Sequence, residues 1–129
     1  MTYQSHIEWQ KNNKEKVRGY YRKNKEKPQY RFASAKGGAK SRGLSWDLTL
    51  EQFEEFTKLP CYYCQNKLNH NTTGSGLDRI DNNKGYSVDN CLPCCSTCNS
   101  VRWNNFTVEE TKIMISALID YRSKPLLNE

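Results

Sequence analysis

Two C-x-x-C pairs, Cys61–Cys64 and Cys95–Cys98, stand 30 residues apart in a chain of 129. In each pair a two-residue loop brings both sulfurs to bonding distance, about 2.3 Å, of a single ion. Whatever lies between the pairs must therefore leave one knuckle and return to the other, which restricts the fold more than any other feature. Buried free thiols are the weaker reading, because cysteines acting as small core residues have no reason to pair at this spacing. Cys91 and Cys94 are left over. Cys94 is an alternative to Cys95 as a ligand, and the C-x-x-C spacing assigns Cys95. Four thiolates fill a tetrahedral shell, so this zinc is expected to be structural.

A metal staple suits the composition. Hydrophobic residues make up 36% of the chain and the mean hydropathy is −0.95, so the apolar core is thin. The opening "MTYQSHIEWQKNNK" has no apolar core segment and no small-residue cleavage site. This predicts a chain that is not secreted, a cytoplasmic location, and cysteines that are reduced rather than disulfide-bonded. No apolar run approaches the roughly 20 residues that span a bilayer, so no membrane partner is expected.

Charge is distributed unevenly. Residues 1–45 carry 12 Lys and Arg against 3 Glu, a net +9, whereas residues 46–129 carry 8 against 11, a net −3. A cationic segment interleaved with aromatics fits a polyanion, because neutralised phosphates release counterions and drive binding to any sequence. Residues 1–43 are accordingly expected to be a basic, partly flexible DNA-binding arm, and residues 44–129 the globular unit. The arm's contacts are assigned to Lys11, Lys14, Lys16, Arg18, Arg22, Lys23, Lys25, Lys27, Arg31, Lys36, Lys40 and Arg42. "WQKNNKEKVRGYY" is followed by the similar "YRKNKEKPQYRF", which predicts two short helical turns, and "AKGGAKSRG" reads as a hinge.

Two capping boxes are present: Thr49 to Gln52 opens "LEQFEEFTKL", and Thr107 to Glu110 opens "VEETKIMISALIDYR". In the second helix Val108, Ile115 and Ile119, with Met114 and Leu118, form a stripe expected to be core. Residues 65–75 read as an exposed loop, and "NSVRWNNF" as a short helix. "GLDRID" and "YSVDNCLPC" read as two strands either side of the turn Asn82-Asn83-Lys84-Gly85.

A closed zinc site leaves any catalysis to a second ion. Asp78 on the first strand and Asn99 just past the last knuckle cysteine offer hard oxygen donors suited to Mg²⁺ or a similar divalent ion. "LDRIDNNKGYSVDN…PCCSTCN", with "CYYC" upstream, resembles the zinc-stapled HNH endonucleases of phages and bacteria, over roughly residues 44–106. The resemblance implies an α+β fold: a small ββα-metal (HNH, or His-Me finger) domain with a structural zinc held by four cysteines, flanking helices and the basic helical arm. It also implies DNA hydrolysis, with nicking or double-strand cutting that leaves 5′-phosphate and 3′-hydroxyl ends.

Residue by residue, it implies that Asp78 and Asn99 hold the catalytic metal, that Asn90 ties the loop between strands, and that Arg102 approaches the scissile phosphate. Where the family's general-base histidine follows the metal Asp, this chain has Arg79, which stays protonated and can only clamp phosphate. The base is then open among His70, Tyr86 and hydroxide on the metal. Asp81 reads as a turn cap. The rival reading is a zinc-stabilised DNA-binding module derived from this fold that has lost catalysis.

Overall fold

The computed structural model describes residues 3–70 and 74–124. Three helices lead the chain: α1 (Tyr3–Asn12), α2 (Lys14–Asn24) and α3 (Pro28–Ser41). They are followed by β1 (Trp46–Asp47), α4 (Leu50–Lys58), β2 (Leu77–Arg79), β3 (Tyr86–Ser87), a 3₁₀ turn (Val88–Asn90), β4 (Cys91–Pro93), α5 (Ser96–Arg102) and α6 (Val108–Ser123). No helix among the described residues is long and apolar enough to cross a membrane.

The hinge expected at "AKGGAKSRG" is helix instead. Pro28 supplies the fixed φ that starts α3, and the helix runs through Gly37 and Gly38 to Ser41. Each glycine costs a helix interior about 1 kcal/mol relative to alanine, and packing outweighs that cost here. Ala39 is fully buried, and Phe32 meets Trp46 and Phe53 with ring centroids 5.6 and 5.8 Å apart. Trp46 in turn lies 5.0 Å from Tyr86. This aromatic cluster joins α3, β1, α4 and β3, so the packed body begins at Pro28 rather than at residue 44. The arm ahead of it consists of two helices, longer than the short turns expected.

The two strands expected around residues 82–85 are also rearranged. β2 pairs antiparallel with β4, setting Leu77 opposite Pro93, Asp78 opposite Leu92 and Arg79 opposite Cys91. Tyr86–Ser87 leaves that ladder and pairs parallel with Trp46–Asp47. Gly85 permits the switch, because a Cβ there would collide with Ser45, whose carbonyl accepts the Tyr86 N–H at 2.9 Å.

Both capping boxes form, Thr49 with Gln52 and Thr107 with Glu110. The α6 stripe is core only in its first half: Val108, Thr111 and Ile115 are buried. Ile119 is 42% exposed, because by then the helix has run past the body that covers its start. A second core gathers Tyr63, Leu68, Val108 and Ile115 around Cys61, Cys94 and Cys98. Leu68 anchors the loop expected over 65–75, of which residues 71–73 lie outside the described residues.

Candidate zinc knuckle and active cleft

The first knuckle is held by its own backbone. Cys61 N–H reaches Asn66 O, Gln65 N–H returns to Cys61 O, and Gln65 takes φ +65° to close the loop. Tyr62 N–H donates to Pro93 O at 2.8 Å, which fastens the knuckle to β4 and so to the second pair. Cys95 caps α5, its sulfur accepting from Cys98 N–H. The result brings the sulfurs of Cys61, Cys64, Cys95 and Cys98 within 4.8 Å of one another. Cys64 and Cys95 are 3.8 Å apart, which matches the edge of a tetrahedron of sulfurs about 2.3 Å from a central ion.

A hydrogen bond from the Cys94 thiol and nearby backbone N–H groups bring Cys61 down to about 3, while burial holds Cys64 and Cys98 above the usual thiol range. Four sulfurs this close together are a donor set that a divalent cation completes, so these cysteines can hold zinc.

A cleft of about 400 Å³ opens at β2, lined by Arg42, Asp78, Arg79, Tyr86, Asn99 and Trp103 among others. Asp78 is 4% exposed and both its oxygens are engaged: Oδ1 accepts from Arg102 Nη1 at 2.7 Å and Oδ2 from Tyr63 Oη at 2.6 Å. Burial, then the bond to Asp78, raise the Tyr63 pKa, so this phenol remains a donor. Tyr63 sits between the knuckle cysteines Cys61 and Cys64, and thereby links the zinc cluster to the cleft. Sequence reasoning missed it, since "CYYC" does not say which tyrosine turns inward.

Arg102, read from the sequence as a phosphate contact, is 3% exposed and does not line the cleft. Besides Asp78 it donates to Arg79 O, to Ile80 O at 2.8 Å and to Phe106 O at 3.1 Å. Its guanidinium is spent on holding Asp78, the end of β2 and the chain that follows α5.

Arg79 Nη1 donates to Asn82 O and Lys84 O at 2.7 and 2.8 Å, closing the loop that follows β2. Asn90 closes the same loop from the other end, accepting from Asp81 N–H and donating to Asp81 O and Gly85 O. Asp81 accepts from Asn83 N–H, a turn-capping contact. Tyr86 lies between Arg42 and Arg79, whose guanidinium carbons are 5.9 and 5.6 Å from its ring centroid, and its hydroxyl accepts from Arg42. The Asn99 side chain makes no hydrogen bond with any described residue, although it sits at the cleft wall.

No protein-family model matches the chain. Among solved structures, that of the rare-cutting HNH restriction endonuclease PacI is similar at a TM-score of 0.62 and 22% identity, over 74% of this chain and 78% of that one. The fold is that of an HNH endonuclease. The uncharacterized protein R423 of Acanthamoeba polyphaga mimivirus is 37% identical over 91 residues, 70% of this chain; the match spans 17% of that protein's length.

Within this HNH fold His70 stands apart from the cleft. It lines a separate hollow with Leu68, Gly76 and Thr97, and burial together with the charge of Arg31 lowers its pKa. The basic side chains do continue from the cleft. A second hollow of about 410 Å³ shares Arg42, Tyr86 and Asn99 with it and extends to Arg31 and Lys25 beside Tyr21 and Tyr30. Arg31 stacks over Phe53 at 5.5 Å, and Lys25 over Tyr21 at 5.9 Å.

Proposed function

We propose that the protein is a metal-dependent DNA endonuclease that hydrolyses phosphodiester bonds to 5′-phosphate and 3′-hydroxyl ends. One observation carries the reading: on an HNH fold, Asp78 and the uncommitted Asn99 amide line the same cleft as Arg42 and Arg79. A carboxylate and an amide oxygen fit Mg²⁺ or a similar ion, which keeps several waters and shares its remaining positions with substrate phosphate. When bound, such an ion supplies Lewis-acid stabilisation of the charge that develops on the phosphate.

The chain's own residues do the rest. Arg102 and Tyr63 fix the Asp78 carboxylate with one bond to each oxygen, which leaves each oxygen a further lone pair to offer an ion. Arg79, anchored through Nη1 by the two loop carbonyls, presents the rest of its guanidinium to the phosphate together with Arg42. Neither arginine takes a proton from water at neutral pH. Tyr86, whose hydroxyl is already oriented by Arg42, is the cleft side chain that can relay one. DNA reaches the cleft along the basic face formed by α2 and α3.

Incubation of zinc-loaded protein with supercoiled plasmid tests the reading. Nicked or linear product is expected with Mg²⁺ and none without added divalent ion. If several divalent ions and branched as well as supercoiled DNA give no product, the non-catalytic zinc-stabilised DNA-binding module replaces the enzyme.

A further inference from the structure

Trp46 and Trp103 are used differently. Trp46 packs among Phe32, Phe53 and Tyr86 and donates its indole N–H to Leu48 O at 3.0 Å. Trp103 does neither. It lines the cleft yet is 65% exposed, and it makes no ring stacking, cation contact or indole hydrogen bond with any described residue.

Its backbone is strained to keep it there. Trp103 has φ 39° and ψ −128°, a conformation glycine adopts readily and a bulky residue rarely does. Strain of this kind persists only where the surroundings over-determine it, and here they do. The Trp103 N–H donates to Asn99 O at 2.8 Å, and its carbonyl accepts from Asn82 Nδ2 at 3.2 Å. Asn82 also holds Asn104 Oδ1 at 3.0 Å, and buried Arg102 pins the chain on both sides of it. An exposed indole and a positive φ are both unfavourable for a free protein, and neither is needed for packing.

The surroundings indicate a ligand. The wall around the indole is built from the amides of Asn82, Asn99 and Asn104, with Arg42 and Arg79 across the cleft. A protein partner would gain little from that polar, cationic rim. A nucleotide suits it: the arginines take the phosphate and the flat indole takes the base. We propose that Trp103 is a stacking site for a nucleobase of the substrate, one unpaired or displaced from its helix beside the phosphate held in the cleft. Stacking of this kind tolerates every base, because each has a π face. The site rests on the reading of the cleft as a nucleic-acid site but does not depend on cleavage.

The test is binding of single-stranded oligonucleotides, with and without bases, to the zinc-loaded full chain, without added divalent ion so that nothing is cut. Trp103→Ala is expected to weaken binding of the base-bearing strand about tenfold, and Trp103→Tyr to restore it to within about threefold of wild type. On an abasic strand of the same length, wild type and Trp103→Ala are expected to bind alike. Quenching of a fluorescent adenine analogue in the strand by wild type, and its loss in Trp103→Ala, reports the stack directly. The proposal is overturned if Trp103→Ala loses the same factor on both strands, if it loses none, or if it changes only the oligomeric state. Stacking without any DNA cleavage would sink the endonuclease reading alone, and cleavage with unchanged Trp103→Ala binding would sink this proposal alone.

Discussion

The knuckle and the cleft are two candidate metal sites that meet at neighbouring residues of one short segment, and they are built on opposite plans. Cys95 and Cys98 belong to a close set of four soft sulfurs. Asn99, the next residue, belongs to an open cleft whose single lining carboxylate is surrounded by guanidinium groups. A zinc ion held by the first would be part of the fold itself, and its removal would take away the core it replaces. In the second, Asp78 is paired with buried Arg102, and Arg42 and Arg79 add further positive charge to the lining. Tyr63 joins the two, because it is set by the knuckle and bonded to the carboxylate.

The largest expected effect lies on the knuckle side. Strong chelation, or the double substitution Cys61→Ser and Cys98→Ser, is expected to unfold the protein, since structural zinc contributes about 10–16 kcal/mol in small domains. Circular dichroism of the metal-free protein checks this, and a native spectrum would end the distinction between the sites.

Next come Asp78→Ala and Asn99→Ala, which sharpen it. Both are expected to abolish Mg²⁺-dependent nicking, a loss of about 10²-fold or more. They should part company in stability. Asp78→Ala leaves Arg102 buried without its carboxylate, at a cost of about 3–5 kcal/mol, whereas Asn99→Ala removes a side chain with no hydrogen-bond partner among the described residues. Urea unfolding of the two variants, with zinc content measured alongside, separates the anchored ligand from the free one. Equal midpoints would mean that the Asp78–Arg102 pair does not hold the fold.

Removing residues 1–27 tests the arm against the body. Because the packed core starts at Pro28, this truncation is expected to fold with full zinc content, to bind all DNA sequences more weakly and to show a shallower salt dependence. Affinity measured across a salt series checks it, and an unchanged slope would move the grip to α3.

The smallest effect is expected at His70. Burial and Arg31 hold its pKa below the usual value near 6.5, so the folded protein resists a proton that the unfolded chain accepts. Stability is then complete above that value and declines as pH falls below it. His70→Gln should remove this part of the acid-side decline in urea midpoints while leaving cleavage within about threefold, because His70 lies outside the cleft. A large loss of activity would return it to the candidate bases.

Local spacing was a sound guide where the chemistry is local. The zinc cluster follows from C-x-x-C loops too short to do anything else with their sulfurs, and the capping boxes from hydrogen bonds spanning three residues. Reading failed where a distant partner decides. Gly37 and Gly38 read as a hinge until aromatic packing at Phe32 and burial of Ala39 outweighed their helix penalty. "YSVDNCLPC" alternates like one strand, but contact with Ser45 draws its first residues to another.

By itself, then, the sequence determined the paired cysteine knuckles, the positions of the capped helices, the charge asymmetry and the order of Cys, Asp and Asn side chains along the chain, because each depends on neighbours a few residues away. The tertiary structure alone decided that Arg102 faces inward to Asp78, 24 residues distant, and that Tyr63 rather than Tyr62 meets the carboxylate. It also decided that Trp103 stands exposed at the cleft while Trp46 is packed. A side chain's burial and partners depend on what the rest of the chain brings beside it, and no local pattern encodes that.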